Sequence, residues 1–189
     1  EKTISVIEKA KNDGKIFTTG VSINNLSLNE NDIGDFKTFL KLSPPLRTEK
    51  DRQALVKAVN EGTIDVIVSD HKPEDEESKR LTFSQAATGA TGVETLLPLA
   101  LELFHNKSIK IKKLIASITS NPAKILGIDK GSLEKGKDAD LCIFDLNKPW
   151  VVDKNKLQSK SKNTPIENRK LQGQVLKTFV KGELAYDRI

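Results

Sequence analysis

Asp70 and His71, two residues able to bind a cation or carry a proton, stand directly behind an apolar run containing Ile64, Val66, Ile67 and Val68. A carboxylate closing a buried run is costly unless it meets a cation or a set of donors. Residue type and place therefore suggest a site at Asp70. On the residues alone, a second reading stays open: Asp70 as a helix cap or turn residue before Lys72-Pro73. His71 is set apart from the site, because successive side chains of a strand face opposite ways. His105, at the end of an apolar helical pattern, reads as a surface or C-cap residue. The single Cys142 excludes an internal disulfide and a cysteine-built zinc site.

The elements that must carry Asp70 are legible in the pattern. Thr48-Glu49-Lys50-Asp51 is a capping-box-like start. The helix that follows has Leu55, Ala58 and Val59 at helical spacing and stops at Gly62. Thr63 to Ser69 is then a near-continuous apolar strand, as in parallel sheets covered on both faces. Helix, glycine, strand and acidic residue form a unit whose strand end is where ligands sit in α/β barrels and open α/β sheets. Upstream, residues 4–12 predict a short helix, Ile16 to Ser22 a strand, 27–37 a polar loop and Phe39 to Leu42 a short strand or turn. Downstream, 72–91 is a long charged loop, and Gly92 to His105 and Ile109 to Ser117 are helical. Asn121-Pro122 reads as a helix start with an Asn cap, closed by Gly127. After Gly131, the short pieces Ala139 to Asp145, Trp150 to Val152, Val175 to Val180 and Leu184 to Tyr186 predict a small β appendage, with the boundary near 128–138. No internal repeat is present.

The 189 residues are 37% hydrophobic and 30% charged, the balance of a folded soluble chain. No apolar run approaches the roughly 20 residues of a membrane helix; Leu96 to Leu103 is broken by Pro98 and Glu102. The net charge of +5 is spread out, except in Lys154–Lys162. That stretch has no aromatic residue to stack on a base, so a solvated loop is expected there and no nucleic-acid partner. The lone cysteine and the lack of a secretory signal fit a cytoplasmic setting. The chain begins with Glu1 and has no Met, so it is expected to be part of a longer polypeptide.

Four segments, in this order, resemble the dihydroorotase family of the amidohydrolase superfamily. They are LysLeuSerProProLeuArg at 41–47, GlyThrIleAspValIleValSerAspHisLysPro at 62–73, PheSerGlnAlaAlaThrGlyAlaThrGlyValGluThrLeuLeuPro at 83–98, and SerAsnProAlaLysIleLeuGly at 120–127 with GlySerLeuGluLysGlyLysAspAlaAspLeu at 131–141. The resemblance implies an α/β fold: the C-terminal part of a TIM-like (β/α) metal-dependent hydrolase barrel over 1–128, then strands of a composite β-sandwich over 129–189. It implies a zinc-dependent hydrolase interconverting N-carbamoyl-L-aspartate and dihydroorotate, with Asp70 as metal ligand and proton shuttle. One or two zinc ions are expected, most of their ligands lying upstream: a His-x-His pair, further single His residues and a carboxylated Lys or an Asp. The 189 residues alone are therefore expected to be inactive, and exposed sheet edges to make them associate.

Substrate contacts are expected at Ser43, where the family commonly has Asn, at Glu74, where many members have His, and at the backbone of Ala87, Thr88 and Gly89. Glu74 would repel a dianionic substrate. Asn24 and Asn25 stand where the family often has two His. Arg47 is either an anion contact or a buried structural residue pairing with Asp51 or Asp65. These departures keep two alternatives open: a non-catalytic partner of aspartate transcarbamoylase, and another cyclic amidohydrolase such as a hydantoinase or allantoinase. A homo-oligomer is expected.

Overall fold

Thr48 opens the helix that leads to Asp70. Its hydroxyl accepts the Asp51 amide at 3.2 Å, and Gly62 closes the helix in the left-handed conformation at φ +91°. In the computed structural model, which describes residues 1–188, this helix, α3, spans Glu49–Glu61. It is preceded by α1 (Lys2–Asn12), β1 (Gly20–Ser22) and the short α2 (Ile23–Ser27), and followed by β2 (Val66–Val68). β1 and β2 pair in parallel, Gly20 opposite Val66 and Ser22 opposite Val68. The strands are shorter than the apolar runs that announce them, because only three residues of each complete the ladder.

Asp65 knots the N-terminal end of this pair. Its carboxylate accepts from Lys11 Nζ at 2.9 Å and from the Thr19 amide at 2.8 Å, while Asn121 Nδ2 donates to its carbonyl at 2.8 Å. Burial pushes the Asp65 carboxyl up, but the Lys11 and Thr19 hydrogen bonds outweigh it and hold the group below the usual range. Asn121 is thus not the expected cap. It lies inside α7 (Ser120–Leu126), whose cap position is Thr119, and its side chain is committed to the Asp65 carbonyl just before β2. Arg47 is exposed and does not pair with Asp65, whose cation is Lys11.

After β2 come the single-turn α4 (Glu76–Arg80), then α5 (Leu96–His105) and α6 (Ile111–Ile118). α5 begins four residues later than the Gly92 start that its apolar pattern predicts, because Gly92 and Val93 donate to His71 instead of opening a helix. The later part is an antiparallel sheet of β3 (Leu141–Val151), β4 (Lys170–Val180) and β5 (Glu183–Asp187), in the order β3-β4-β5. The two pieces read separately at Ala139 to Asp145 and Trp150 to Val152 are one strand, interrupted by an irregularity between Asp145 and Pro149.

The change of texture near residue 130 does not divide the core. Ile23, Leu26, Leu99 and Leu101 are fully buried in the same cluster as Val152, Ile166 and Leu171. Each such side chain contributes roughly 1.5–3 kcal/mol by leaving water. Gly173 on β4 lies directly under Leu101, where an added Cβ would sit 2.3 Å from Leu101 Cδ1. Trp150 Nε1 donates to the Gly173 carbonyl at 2.9 Å, and His105 Nε2 bonds the Leu146 carbonyl at 3.0 Å. His105 therefore joins α5 to β3 and is not a free surface residue.

Candidate active site

β2 ends at Val68, and two residues later Asp70 adopts a left-handed backbone, φ +50°. Asp is among the few residues that visit this region at modest cost. The turn lifts Asp70 out of the strand's alternation, at the end of the β1–β2 pair opposite the Asp65 knot. Asp70 is half-buried, and among the described residues no donor or cation reaches its carboxylate. A half-buried carboxylate without a partner is the place where a cation or a substrate proton gains most.

Strand alternation is not what keeps His71 out of the site, since the strand has already ended. Its ring is occupied: Nδ1 accepts the amides of Gly92 at 3.0 Å and Val93 at 3.4 Å, which places the ring proton on Nε2. His71 also forms a parallel bridge with Ala90, and Lys72 donates its amide to the Ala90 carbonyl at 2.8 Å. The 89–92 segment is thereby pressed against 69–72. A Cβ on Gly92 would lie 2.3 Å from the Ser69 carbonyl oxygen, and one on Gly89 2.7 Å from that of Lys72. Both glycines are required by close approach of backbone to backbone.

The candidate substrate residues surround this contact unevenly. Ser43 is exposed on the loop before Pro44, while Asn25 Nδ2 donates to the Pro45 carbonyl at 3.2 Å and so fixes that loop. Asn24 is 1% exposed, and neither atom of its amide has a partner among the described residues. Glu74 is turned toward Lys72, 3.4 Å away, and its amide donates to Asn163 Oδ1 at 3.3 Å. Its charge is partly answered within the chain, which weakens the expected repulsion. Ala87 and Gly89 have their backbone groups committed. The Ala87 amide donates to Ser78 and that of Gly89 to Lys41, while their carbonyls accept from Lys79 Nζ at 2.8 Å and Asn163 Nδ2 at 3.2 Å. Between them the Thr88 amide has no partner among the described residues, so the free donor of this loop is Thr88 and not its neighbours.

Two residues that the sequence did not single out organise this region. Asn163, 2% exposed, reaches from the β3–β4 connection to Lys72, Glu74 and Gly89 at once. The connection carrying it is not the solvated loop expected for Lys154–Lys162: Leu157 is buried, and Glu94 accepts the Gln158 and Ser159 amides at 3.0 Å each. Lys79, 1% exposed, is the second. The one available signal, a lysine inside a charged loop, does not separate it from its exposed neighbours.

Among the described residues, no group of three His, Cys, Asp or Glu converges as a metal site. The fit is therefore partial: Asp70 has the chemistry and the unspent lone pairs of one ligand, and a complete coordination set needs donors beyond this chain. A cleft of about 1030 Å³ lies elsewhere, between α3, α5 and residues 164–169. Its arginines are spent internally: Arg52 on Glu49 and the Leu26 carbonyl, Arg169 on Glu102 and the Ser27 carbonyl. Glu49 is held well below the carboxylate range, at about 2, chiefly by its Arg52 hydrogen bond. That cleft does not include Asp70. Among the described residues, no helix is long and apolar enough to cross a membrane.

Comparison with known proteins agrees with this geometry. Over 189 residues the chain is 42% identical to a dihydroorotase of Ehrlichia canis, covering 100% of this chain and 42% of that protein. It is 41% identical over 185 residues to a dihydroorotase of Acetivibrio thermocellus, covering 97% of this chain and 43% of that one. The chain thus spans less than half the length of these relatives. Among solved structures, an L-hydantoinase (dihydropyrimidinase) from Arthrobacter aurescens superposes with a TM-score of 0.89 at 30% identity, over 98% of this chain and 42% of that one. A dihydropyrimidinase from Brevibacillus agri shares the fold, with a TM-score of 0.90 at 22% identity over 97% of this chain and 42% of that one. The sequence profile of the amidohydrolase family matches residues 2–185, and the chain belongs to that family.

Proposed function

We propose that the complete polypeptide carrying this chain is a dihydroorotase, which opens and closes the cyclic amide linking dihydroorotate and N-carbamoyl-L-aspartate. The observation that carries this reading is the Asp70 carboxylate, half-buried at the end of β2 and unspent within the chain. In this reading the β1–β2 pair is the final portion of a (β/α) barrel over 1–128, and β3–β5 belong to a β-sandwich over 129–189. Asp70 is one ligand of a zinc site whose other donors come from elsewhere in the polypeptide. When bound, zinc supplies Lewis acidity, making water acidic and the amide carbonyl electrophilic. Asp70 takes the proton that water loses as its oxygen adds to the carbonyl carbon. It hands that proton to the ring nitrogen as the C–N bond breaks; ring closure runs the same steps backward. The Thr88 amide is the free donor available to the substrate, while Glu74, Ala87 and Gly89 shape the loop and Ser43 lies on the neighbouring one. The product feeds pyrimidine synthesis, and a cytoplasmic homo-oligomer is the assembly proposed.

The relatives named dihydroorotase reach about 40% identity along the whole chain, which favours this substrate over hydantoins. Ser43 and the 30% identity to an L-hydantoinase favour a second reading, a hydantoinase or allantoinase of the same chemistry. Asn24 and Asn25 in place of two His favour a third, a non-catalytic partner of aspartate transcarbamoylase. The test is the purified complete protein assayed for zinc and for turnover of dihydroorotate, hydantoin, allantoin and dihydrouracil, with Asp70→Asn alongside. Dihydroorotate turnover falling at least ~10³-fold in Asp70→Asn is expected, an acid–base group and a metal contact being lost together. Turnover of another ring alone sinks the substrate assignment. Full activity in Asp70→Asn sinks the mechanism, and copurification with the transcarbamoylase without any turnover supports the third reading.

A further inference from the structure

Lys79 is buried, and among the described residues no carboxylate pairs with it. Its ammonium donates to the carbonyls of Thr38 at 3.0 Å, Lys41 at 3.4 Å and Ala87 at 2.8 Å, and the residue is 1% exposed. Burial is the main cause that lowers its pKa to about 8; Glu74 opposes the shift, and Lys41 and Lys72 add to it. A buried cation is costly, and an uncharged side chain would fill the same space at lower cost. What the ammonium does in return is visible in its partners. Thr38 and Lys41 belong to the segment running into Ser43-Pro44, and Ala87 to the loop proposed to meet the substrate. The Lys41 carbonyl also accepts the Gly89 amide at 3.0 Å, so one oxygen joins both loops. From the other side, Thr38 Oγ1 donates to the Lys79 carbonyl.

We propose that Lys79 is a positioning residue: its buried ammonium binds the 38–41 segment to the 87–89 loop and fixes the orientation in which the Thr88 amide faces the substrate. The clamp spends the Ala87 and Gly89 backbone groups, while among the described residues the Thr88 amide between them has no partner, so the loop is tied on both sides of that amide. Three carbonyls converging from two loops need a donor with three protons on one tetrahedral nitrogen, which among side chains only lysine supplies. This rests on the cyclic amidohydrolase reading of the 87–89 loop.

The test uses the complete zinc-loaded protein with Lys79→Met and, in case that variant misfolds, Lys79→Gln. Gln keeps two donor protons but reaches less far. Amide hydrogen exchange over residues 36–44 and 85–92 is measured together with dihydroorotate kinetics at one pH. The expected result is faster exchange confined to those two segments, with KM raised at least ~10-fold and kcat within ~3-fold, the mark of lost binding contacts and not of lost chemistry. Lys79→Gln should fall between wild type and Lys79→Met in both readouts. Wild-type turnover with unchanged exchange and KM in both variants overturns the clamp and leaves the enzyme reading standing. A drop in kcat and zinc content at unchanged KM also overturns it, because that marks general damage. A wild type that turns over no cyclic amide sinks the enzyme reading and the positioning role with it.

Discussion

Gly92 and Gly173 provide a matched pair of substitutions that separates packing near Asp70 from packing in general. In each, an added Cβ would meet a neighbouring atom at 2.3 Å. For Gly92 that atom is the carbonyl oxygen of Ser69, the residue before Asp70; for Gly173 it is Cδ1 of Leu101. Real Cβ atoms essentially never approach below 3.0 Å, so Gly92→Ala must drive the 69–70 backbone and the 92 backbone apart by roughly 0.7 Å. A carbonyl cannot rotate aside as a methyl can, so the displacement passes directly into Asp70. Misplacement of a reacting group by about 1 Å costs on the order of 100-fold in rate. Gly92→Ala should therefore lower dihydroorotate turnover of the complete protein by roughly 10- to 100-fold. Gly173→Ala meets a side chain that can shift and adds a Cβ at φ +100°. It should cost about 1–3 kcal/mol of stability, seen as a Tm drop of several degrees, with turnover within ~2-fold. The assay is steady-state kinetics together with thermal melts on both variants. Equal loss of rate in the two, or wild-type turnover in Gly92→Ala, would refute the claim that the 69–92 contact holds Asp70 in place.

Asn163→Leu removes the bonds to Lys72, Glu74 and Gly89 from a residue 2% exposed. Leaving those backbone groups unpaired should cost about 2–4 kcal/mol, read as a lower denaturant midpoint; an unchanged midpoint would show that the β3–β4 connection does not hold the loops. For Lys79, the folded chain binds the proton less tightly than the unfolded one, whose value is 10.5 against about 8 when folded. Folding is penalised wherever the group must stay charged, and the penalty is relieved as pH climbs from about 8 toward 10.5. The stability of wild type relative to Lys79→Met should therefore rise across that window in urea titrations at pH 7, 9 and 10. A relative fall would reverse the assigned sign.

Local signals carried much of this protein. The Thr48 cap, the helix to Glu61, the Gly62 stop and the strand leading to Asp70 are short-range features, each set by residues a few positions apart; the cap, helix and stop stand where the pattern puts them, and the strand is present in shortened form as Val66–Val68. The position of Asp70, an acidic residue closing an apolar run, was legible for the same reason; its place in a catalytic site is what we propose. The roles of Asn121, His71, Asn163 and Lys79 were not legible. Asn121 has the form of a cap, yet its amide is taken by Asp65, 56 positions away; Asn163 answers Gly89 across 74. Whether a polar side chain caps its own helix or satisfies a distant carbonyl depends on which unpaired backbone group the chain brings within about 3 Å, and no local spacing encodes that. The sequence by itself determined the elements and the carboxylate at their end. Only the tertiary structure decided which donors were spent on the neighbouring loops and which, like the Thr88 amide, have no partner among the described residues.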